Sequence, residues 1–222
     1  MTTTAMPRPH GDRPIKGLMA KWYASNTSEM MKDYVELAQR IAREIPEGSR
    51  VLEVAPGPGY FSIALAKLGS HAITGMDLSP TMVEIARKKA SEAGVRVEFL
   101  QGSASKMPLQ TGCFDFLLCR AAFKNFAQPV EALREMCRVL RPGGRALIID
   151  MRGDVTRGEL NQAVDAMKSS GVNRLINKIV FRTVLLRSAY TREQFEAMLA
   201  QAGFSHVEIA QSGIGFEISA RK

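Results

Sequence analysis

The stretch Val51–Leu78 reads VLEVAPGPGYFSIALAKLGSHAITGMDL, and it parses as strand, glycine turn, helix, strand and acid. Val51, Leu52 and Val54 form a short apolar, β-branched run, as a strand buried on both faces requires. Ala55-Pro56-Gly57-Pro58-Gly59 cannot continue that strand, because proline removes ladder donors and glycine opens the left-handed region. Ile63, Ala64, Leu65, Ala66 and Leu68 recur at helical spacing, and Gly69 stops the helix. Ile73, Thr74 and Met76 rebuild a strand that ends on Asp77. A tight glycine turn between strand and helix lets a ligand approach bare backbone. An acid at the end of the next strand can accept hydrogen bonds from both hydroxyls of a ribose. The unit therefore suits a nucleoside cofactor.

The same residues narrow the choice of cofactor. A dinucleotide fingerprint needs a third glycine three residues after Gly59, where Ser62 stands. Pro56 and Pro58 remove two N–H donors that a pyrophosphate would use. No Gly-Lys-Ser/Thr follows, which excludes a P-loop. The turn resembles instead the first motif of class I S-adenosylmethionine-dependent methyltransferases, acid–x–Gly–x–Gly–x–Gly. Glu53 holds the acid position, and Gly57 and Gly59 hold the last two glycines. Ala55 replaces the first glycine, a departure that narrows the approach to the methionine end.

The resemblance covers roughly residues 45–150. Asp77-Leu78-Ser79-Pro80 is similar to the family's ribose acid followed by a helix start, with Ser79 as cap and Pro80 in the first turn. Gln101-Gly102-Ser103-Ala104 with Met107-Pro108-Leu109 resembles the segment flanking the adenine, although the family often has Asp where Ser103 stands. Phe114–Cys119 resembles the fourth strand. Phe123-Lys124-Asn125-Phe126 sits where many small-molecule methyltransferases carry an aromatic or His-rich pair. Leu133–Leu140, then Arg141-Pro142-Gly143-Gly144 and the strand Arg145–Asp150, are the most family-specific features after the first motif.

Composition sets the outer bounds. At 222 residues the chain fits one domain with an elaboration, long enough to bury about 70% of its unfolded surface. No run of about 20 apolar residues occurs, so no spanning helix is expected. Met1–Gly11 has no apolar core, so no secretory signal is expected there. Cys113, Cys119 and Cys137 have no CxxC spacing, so reduced thiols in a cytoplasmic protein are expected and a zinc site is not. The net charge of +8 is unevenly spread. Between Arg152 and Arg192, eight Lys/Arg face three acids, a surplus of five in 41 residues. A solvated face, an anionic substrate, and an RNA or membrane surface are the competing readings.

The first 15 residues, with Pro7, Pro9, Gly11 and Pro14, read as a tail, followed by helices at Lys16–Asn26 and Glu29–Glu44. Residues 1–45 thus form an N-terminal tail with lid helices, and 46–222 the main domain. Strands near 51–54, 72–76, 95–100, 114–119 and 144–150 alternate with helices near 59–68, 80–93 and 128–140. That alternation predicts an α/β fold with a doubly wound, mostly parallel, Rossmann-like sheet. Tyr190–Ala202 is a further helix. Val207–Gln211 and Phe216–Ala220 flank a Ser-Gly-Ile-Gly turn, giving a closing antiparallel hairpin and seven strands in all. Residues 152–188 form an insertion after the fifth strand, where ligands enter an open α/β sheet. Its two helices, Glu159–Lys168 and Val172–Arg187, carry Ile176, Ile179, Val180 and Val184 toward one side and Arg174, Lys178 and Arg182 toward another. By the resemblance, the insertion is a cap over the acceptor pocket.

The resemblance also assigns the site. Glu53, Ala55, Gly57, Gly59, Asp77, Leu78, Met82, Gly102, Ser103, Ala104, Cys119 and Arg120 are expected around S-adenosylmethionine, with Tyr23 on a lid helix. Trp22, Phe123, Lys124, Arg152, Ile176 and Val180 are expected to shape the acceptor pocket. No general base declares itself. His71 and His206 precede their strands, at the wrong end of the sheet, and His10 lies in the tail. A sulfonium is already an activated methyl donor, so displacement mainly needs the nucleophile held in line. The expected activity is methyl transfer to a small, fairly apolar acceptor at O, N or S, by a protein with no stable nucleic-acid partner; a homodimer is open. Two rivals stand beside it: an RNA or protein methyltransferase using the basic insertion, and a non-catalytic cofactor-binding scaffold. Arg120-Ala121-Ala122-Phe123 replaces the Asn/Asp-Pro-Pro-Tyr/Phe tetrapeptide of enzymes that methylate amino groups on adenine or glutamine, which weighs against the first rival.

Overall fold

The computed structural model describes Gly17 and residues 31–166 and 188–222. Seven strands form one sheet in the order β3-β2-β1-β4-β5-β7-β6. They are β1 (Arg50–Val54), β2 (Ala72–Asp77), β3 (Glu98–Gln101), β4 (Phe114–Arg120), β5 (Leu140–Met151), β6 (Ser205–Ser212) and β7 (Gly215–Arg221). β1 to β5 run parallel, and β7 lies antiparallel between β5 and β6. The helices are α1 (Met31–Glu44), α2 (Tyr60–Ala66), α3 (Pro80–Glu92), α4 (Pro129–Val139), α5 (Arg157–Ala166) and α6 (Arg192–Ala202).

The period-2 alternation of the central strands puts apolar side chains on both faces. Val51, Phe116, Leu118 and Leu147 meet α1 and α2 through Leu37, Ile41, Phe61 and Leu65. Leu52, Leu117, Cys119 and Ile148 meet α4 and α6 through Leu133, Met136, Phe195 and Met198. β6 is an edge strand and largely exposed.

Two strand starts differ most from the periodicity. β5 begins at Leu140 rather than Gly144, because Leu140 pairs with Phe114 before the register shifts. Arg141–Gly144 are the bulge this shift requires, with Gly143 at a φ of 77°. β3 begins at Glu98 rather than Val95, since only its last four residues pair with β2. The expected helix Lys16–Asn26, apart from Gly17, and the span 167–187 of the insertion lie outside the described residues.

β1 and β2 wind one way from the centre and β4 and β5 the other. The strand order therefore switches between β1 and β4, which opens a crevice beyond their carboxyl ends.

Candidate cofactor and acceptor cleft

That crevice is an open cleft of about 940 Å3, counting the solvent space at its mouth. Ala55, Pro56, Gly57 and Pro58 line its β1 side, Asp77 and Leu78 its β2 side, and Gly102, Ser103 and Ala104 the part beyond β3. Met82 of α3 and Tyr34 of α1 complete these walls. Arg120, Ala121, Ala122, Asn125 and Phe126 form the end next to β4.

The turn after β1 has no N–H to offer a phosphate. Ala55 N–H donates to Met76 O at 2.8 Å and Gly59 N–H to Pro56 O at 3.0 Å. Gly57 N–H donates to Asp77 Oδ2 at 3.0 Å, and the prolines have no N–H. The turn is nevertheless open. A Cβ on Gly57 would meet nothing within 4 Å, whereas one on Gly59 would come within 2.7 Å of the Phe99 ring. Gly57 thus leaves bare backbone toward the cleft, and Gly59 is required by its φ of 78° and by its packing. Ala55 takes the left-handed conformation too, at φ 56°, as does Ala121 at φ 55°. Non-glycine residues in that region carry strain, which collects at functional sites.

Asp77 is a clamp as well as a wall. Its Oδ1 accepts from Ser79 N–H at 2.8 Å while Oδ2 holds Gly57. Burial raises its carboxyl above the usual carboxylate range, against those two donors. Glu53 lies behind the turn and is buried, accepting from Ser62 N–H at 3.1 Å and from the Ser62 hydroxyl. It fixes the first turn of α2 beneath the cleft. Burial pushes its carboxyl up to about 7, opposed by the Ser62 hydrogen bonds and the Arg120 charge.

Arg120 ends β4 with its guanidinium 4.1 Å over the Tyr34 ring and 3.8 Å from Asp33. Its Nη1 is buried and makes no hydrogen bond among the described residues. A buried donor of this kind is costly unless something accepts from it, so the atom marks a place for an anionic or carbonyl oxygen.

Phe123 and Lys124 were expected to shape the acceptor pocket, yet both lie behind its wall. Phe123 is fully buried, its ring 5.2 Å from Phe195, 5.8 Å from Tyr190 and 5.5 Å from Phe126. Lys124 Nζ donates to Asp150 Oδ1 at 2.9 Å and to Ala121 O at 2.8 Å, while its N–H donates to Asp150 Oδ2 at 2.9 Å. On the core side the two ions need each other, because neither could be left buried and unpaired there. Cys119 is fully buried, and burial raises its thiol well above the ordinary value. Gly59 and Glu53 likewise support the wall rather than line it.

Arg152 is also enclosed. It pairs with Asp154 at 2.9 Å and with Glu159, and donates to Gly213 O at 3.3 Å. Arg152 and Tyr190 form a parallel bridge, and Gly153 N–H donates to Tyr190 O at 2.8 Å. The insertion therefore leaves and returns at one point, with Arg152 locking its base. Trp22, Tyr23, Ile176 and Val180 lie outside the described residues.

Tyr34, Asn125 and Phe126 line the cleft without having been named among the expected site residues. Asn125-Phe126 directly follow the aromatic–basic pair that drew attention, and the choice of which pair faces the cleft depends on the turn. Phe123–Asn125 is a 3-10 turn, whose threefold period was not assigned.

Residues 52–148 match a family model described as a methyltransferase domain. The chain is 39% identical over 102 residues to a demethylmenaquinone methyltransferase of Deinococcus radiodurans, covering 46% of this chain and 42% of that protein. It is 30% identical over 175 residues to the ubiquinone/menaquinone biosynthesis C-methyltransferase UbiE of Pseudomonas paraeruginosa, covering 73% of this chain and 68% of that one. The chain spans about half the length of the demethylmenaquinone methyltransferases it matches. Among solved structures, a SAM-dependent methyltransferase of Aquifex aeolicus superposes with a TM-score of 0.64 at 23% identity, over 82% of this chain and 88% of that one. That last likeness is one of fold.

Proposed function

The chain belongs to the class I S-adenosylmethionine-dependent methyltransferases, and from that premise we propose that it transfers a methyl group to a small, fairly apolar acceptor. The relatives' names favour an acceptor of the quinone kind. The observation that carries the cofactor reading is the β1 turn, open over Gly57 yet with every N–H engaged. Such a turn accommodates a nucleoside bearing a cationic arm and gives a pyrophosphate no donors.

The residues present fit that cofactor. Asp77 would accept from the ribose hydroxyls with the lone pairs left by Gly57 and Ser79. Gly102, Ser103 and Ala104 would flank the adenine, with Leu78 and Met82 against it. The unpartnered Nη1 of Arg120 would donate to the methionine carboxylate. When bound, the cofactor supplies a methyl group already activated on a sulfonium sulfur. The protein's share is then to hold the acceptor in line and keep water out, and Ala121, Ala122 and Phe126 give the β4 end an apolar wall for this. The insertion, closed at its base by Arg152 and Gly153, would cap that end. No helix among the described residues is long and apolar enough to cross a membrane. The three cysteines are unpaired, which supports a reducing, cytoplasmic setting.

Transfer of labelled methyl from S-adenosylmethionine to a panel of quinols, phenols and thiols tests the activity. Asp77→Ala is expected to weaken calorimetric binding of S-adenosylmethionine by roughly 1.5–3 kcal/mol, the worth of hydrogen bonds to a charged group. Unchanged binding in Asp77→Ala would remove that residue from the site.

A further inference from the structure

Resting on the cofactor and acceptor reading above, we infer that the side-chain amide of Asn125 orients the acceptor, by hydrogen-bonding an oxygen on its ring while Phe126 covers the ring face. The cleft follows the strand order. Its β2 and β3 portions offer the ribose acid and the adenine wall, so the reacting end lies toward β4, where Ala121, Ala122, Asn125 and Phe126 stand.

Among the described residues, three polar side chains line that end: Tyr34, Arg120 and Asn125. The Tyr34 ring carries the Arg120 guanidinium, and Arg120 also leans on Asp33. Asn125 is exposed to the cleft. Its N–H donates to Ala122 O at 2.9 Å, and its amide makes no hydrogen bond among the described residues. An amide both donates and accepts and does not titrate. It can therefore read a hydroxyl, a phenolate or a carbonyl oxygen alike.

The placement is rigid, which matters for an orienting group. The two preceding residues are pinned on the core side, Phe123 by three aromatic neighbours and Lys124 by the buried Asp150 pair. The 3-10 turn then presents Asn125 and Phe126 outward. Phe126 is edge-on to Phe123, at 69° between ring planes, so its position is set by the same cluster. One fixed apolar ring beside one free amide is the complement of a flat ring bearing an oxygen. A site built to hydrogen-bond such an oxygen rejects the analogue lacking it.

The test uses the full chain loaded with S-adenosylhomocysteine and titrated calorimetrically with 1-naphthol and with naphthalene. The expected wild-type preference for 1-naphthol is about tenfold, one good hydrogen bond. Asn125→Ala and Asn125→Leu are expected to bring that ratio below about twofold while leaving naphthalene and S-adenosylhomocysteine affinities unchanged, the latter serving as the control for folding. A wild type that binds both compounds equally, or neither, overturns the inference, as does a variant that keeps the preference. A wild type that fails to bind S-adenosylhomocysteine overturns the cofactor reading instead.

Discussion

Glu53 is a buried acid whose ionisation the fold resists. Its carboxyl moves from the ordinary 4.5 up to about 7 through burial. Between those values the unfolded chain has released the proton and the native one retains it. The stability this group contributes is present in full below about pH 4.5 and is lost as the pH rises through 7, a change of roughly 3 kcal/mol. Glu53→Gln keeps an oxygen that can accept from both the Ser62 N–H and the Ser62 hydroxyl, without the charge. We expect it to match the wild type at pH 5 and exceed it at pH 8, in urea midpoints measured at both. Equal pH slopes for the two proteins would contradict the assignment. Ala55 poses the opposite case, a side chain in a backbone region that suits glycine. Left-handed alanine costs about 1–2 kcal/mol, and the extra entropy that glycine loses on folding offsets about 0.5–1 of it. Ala55→Gly is thus expected to be neutral or stabilising by up to about 1.5 kcal/mol in thermal unfolding, where such a change in a strand or helix interior destabilises. A clear loss of stability would show that the Ala55 methyl packs against something that compensates its strain.

At the scale of elements, the insertion hangs on a junction with no room to spare. A Cβ on Gly153 would lie 2.5 Å from the Ala189 carbonyl oxygen, so Gly153→Ala must open the Arg152–Tyr190 bridge. The turn proposed to bind the cofactor belongs to β1, β2 and α2 and is untouched by this. Methyl transfer to the acceptor is expected to fall at least tenfold, about 1.4 kcal/mol in the barrier, with S-adenosylhomocysteine affinity retained. Full turnover in Gly153→Ala would separate the insertion from the reaction. The same contrast shows what the sequence can carry. Val51–Asp77 was legible because hydrophobic period, proline, glycine and a terminal acid all lie within one βαβ unit, where local rules suffice. The pair Phe123-Lys124 was not, because its fate depends on partners far along the chain: Asp150 of β5, Tyr190 and Phe195. A lysine that follows a strand reads as a site residue until its buried counter-ion is seen. Asn125 gave no signal of its own, since an exposed asparagine in a short turn is common and only the fixed turn around it turns it toward the cleft. Likewise the orphaned Nη1 of Arg120 follows from Tyr34 and Asp33 on α1, contacts between elements nearly a hundred residues apart.

The whole molecule is one sheet with apolar packing on both faces, and the cleft draws on β1, β2, β4, α1 and α3 together. A ligand that fills it ties the carboxyl ends of the central strands to α1 and α3, so its binding energy should appear as global stability. With free ligand at a hundred times its Kd, mass action adds about 2.7 kcal/mol. For a chain of 222 residues that corresponds to a Tm increase on the order of 5–11 °C. The net charge of +8 will draw any anion weakly to the surface, so the comparison belongs at 0.15 M salt, where the screening length is about 8 Å. S-adenosylhomocysteine is expected to give the full shift, and NAD at the same concentration none, because the β1 turn has no free N–H for its pyrophosphate and the positive surface cannot replace those donors at that salt. Asp77→Ala should start from a lower Tm, having lost the clamp on Gly57 and Ser79, and should also show a smaller ligand-induced shift. An NAD shift as large as that of S-adenosylhomocysteine would mean that the turn rearranges to free its donors, and the argument from engaged N–H groups would fall with it.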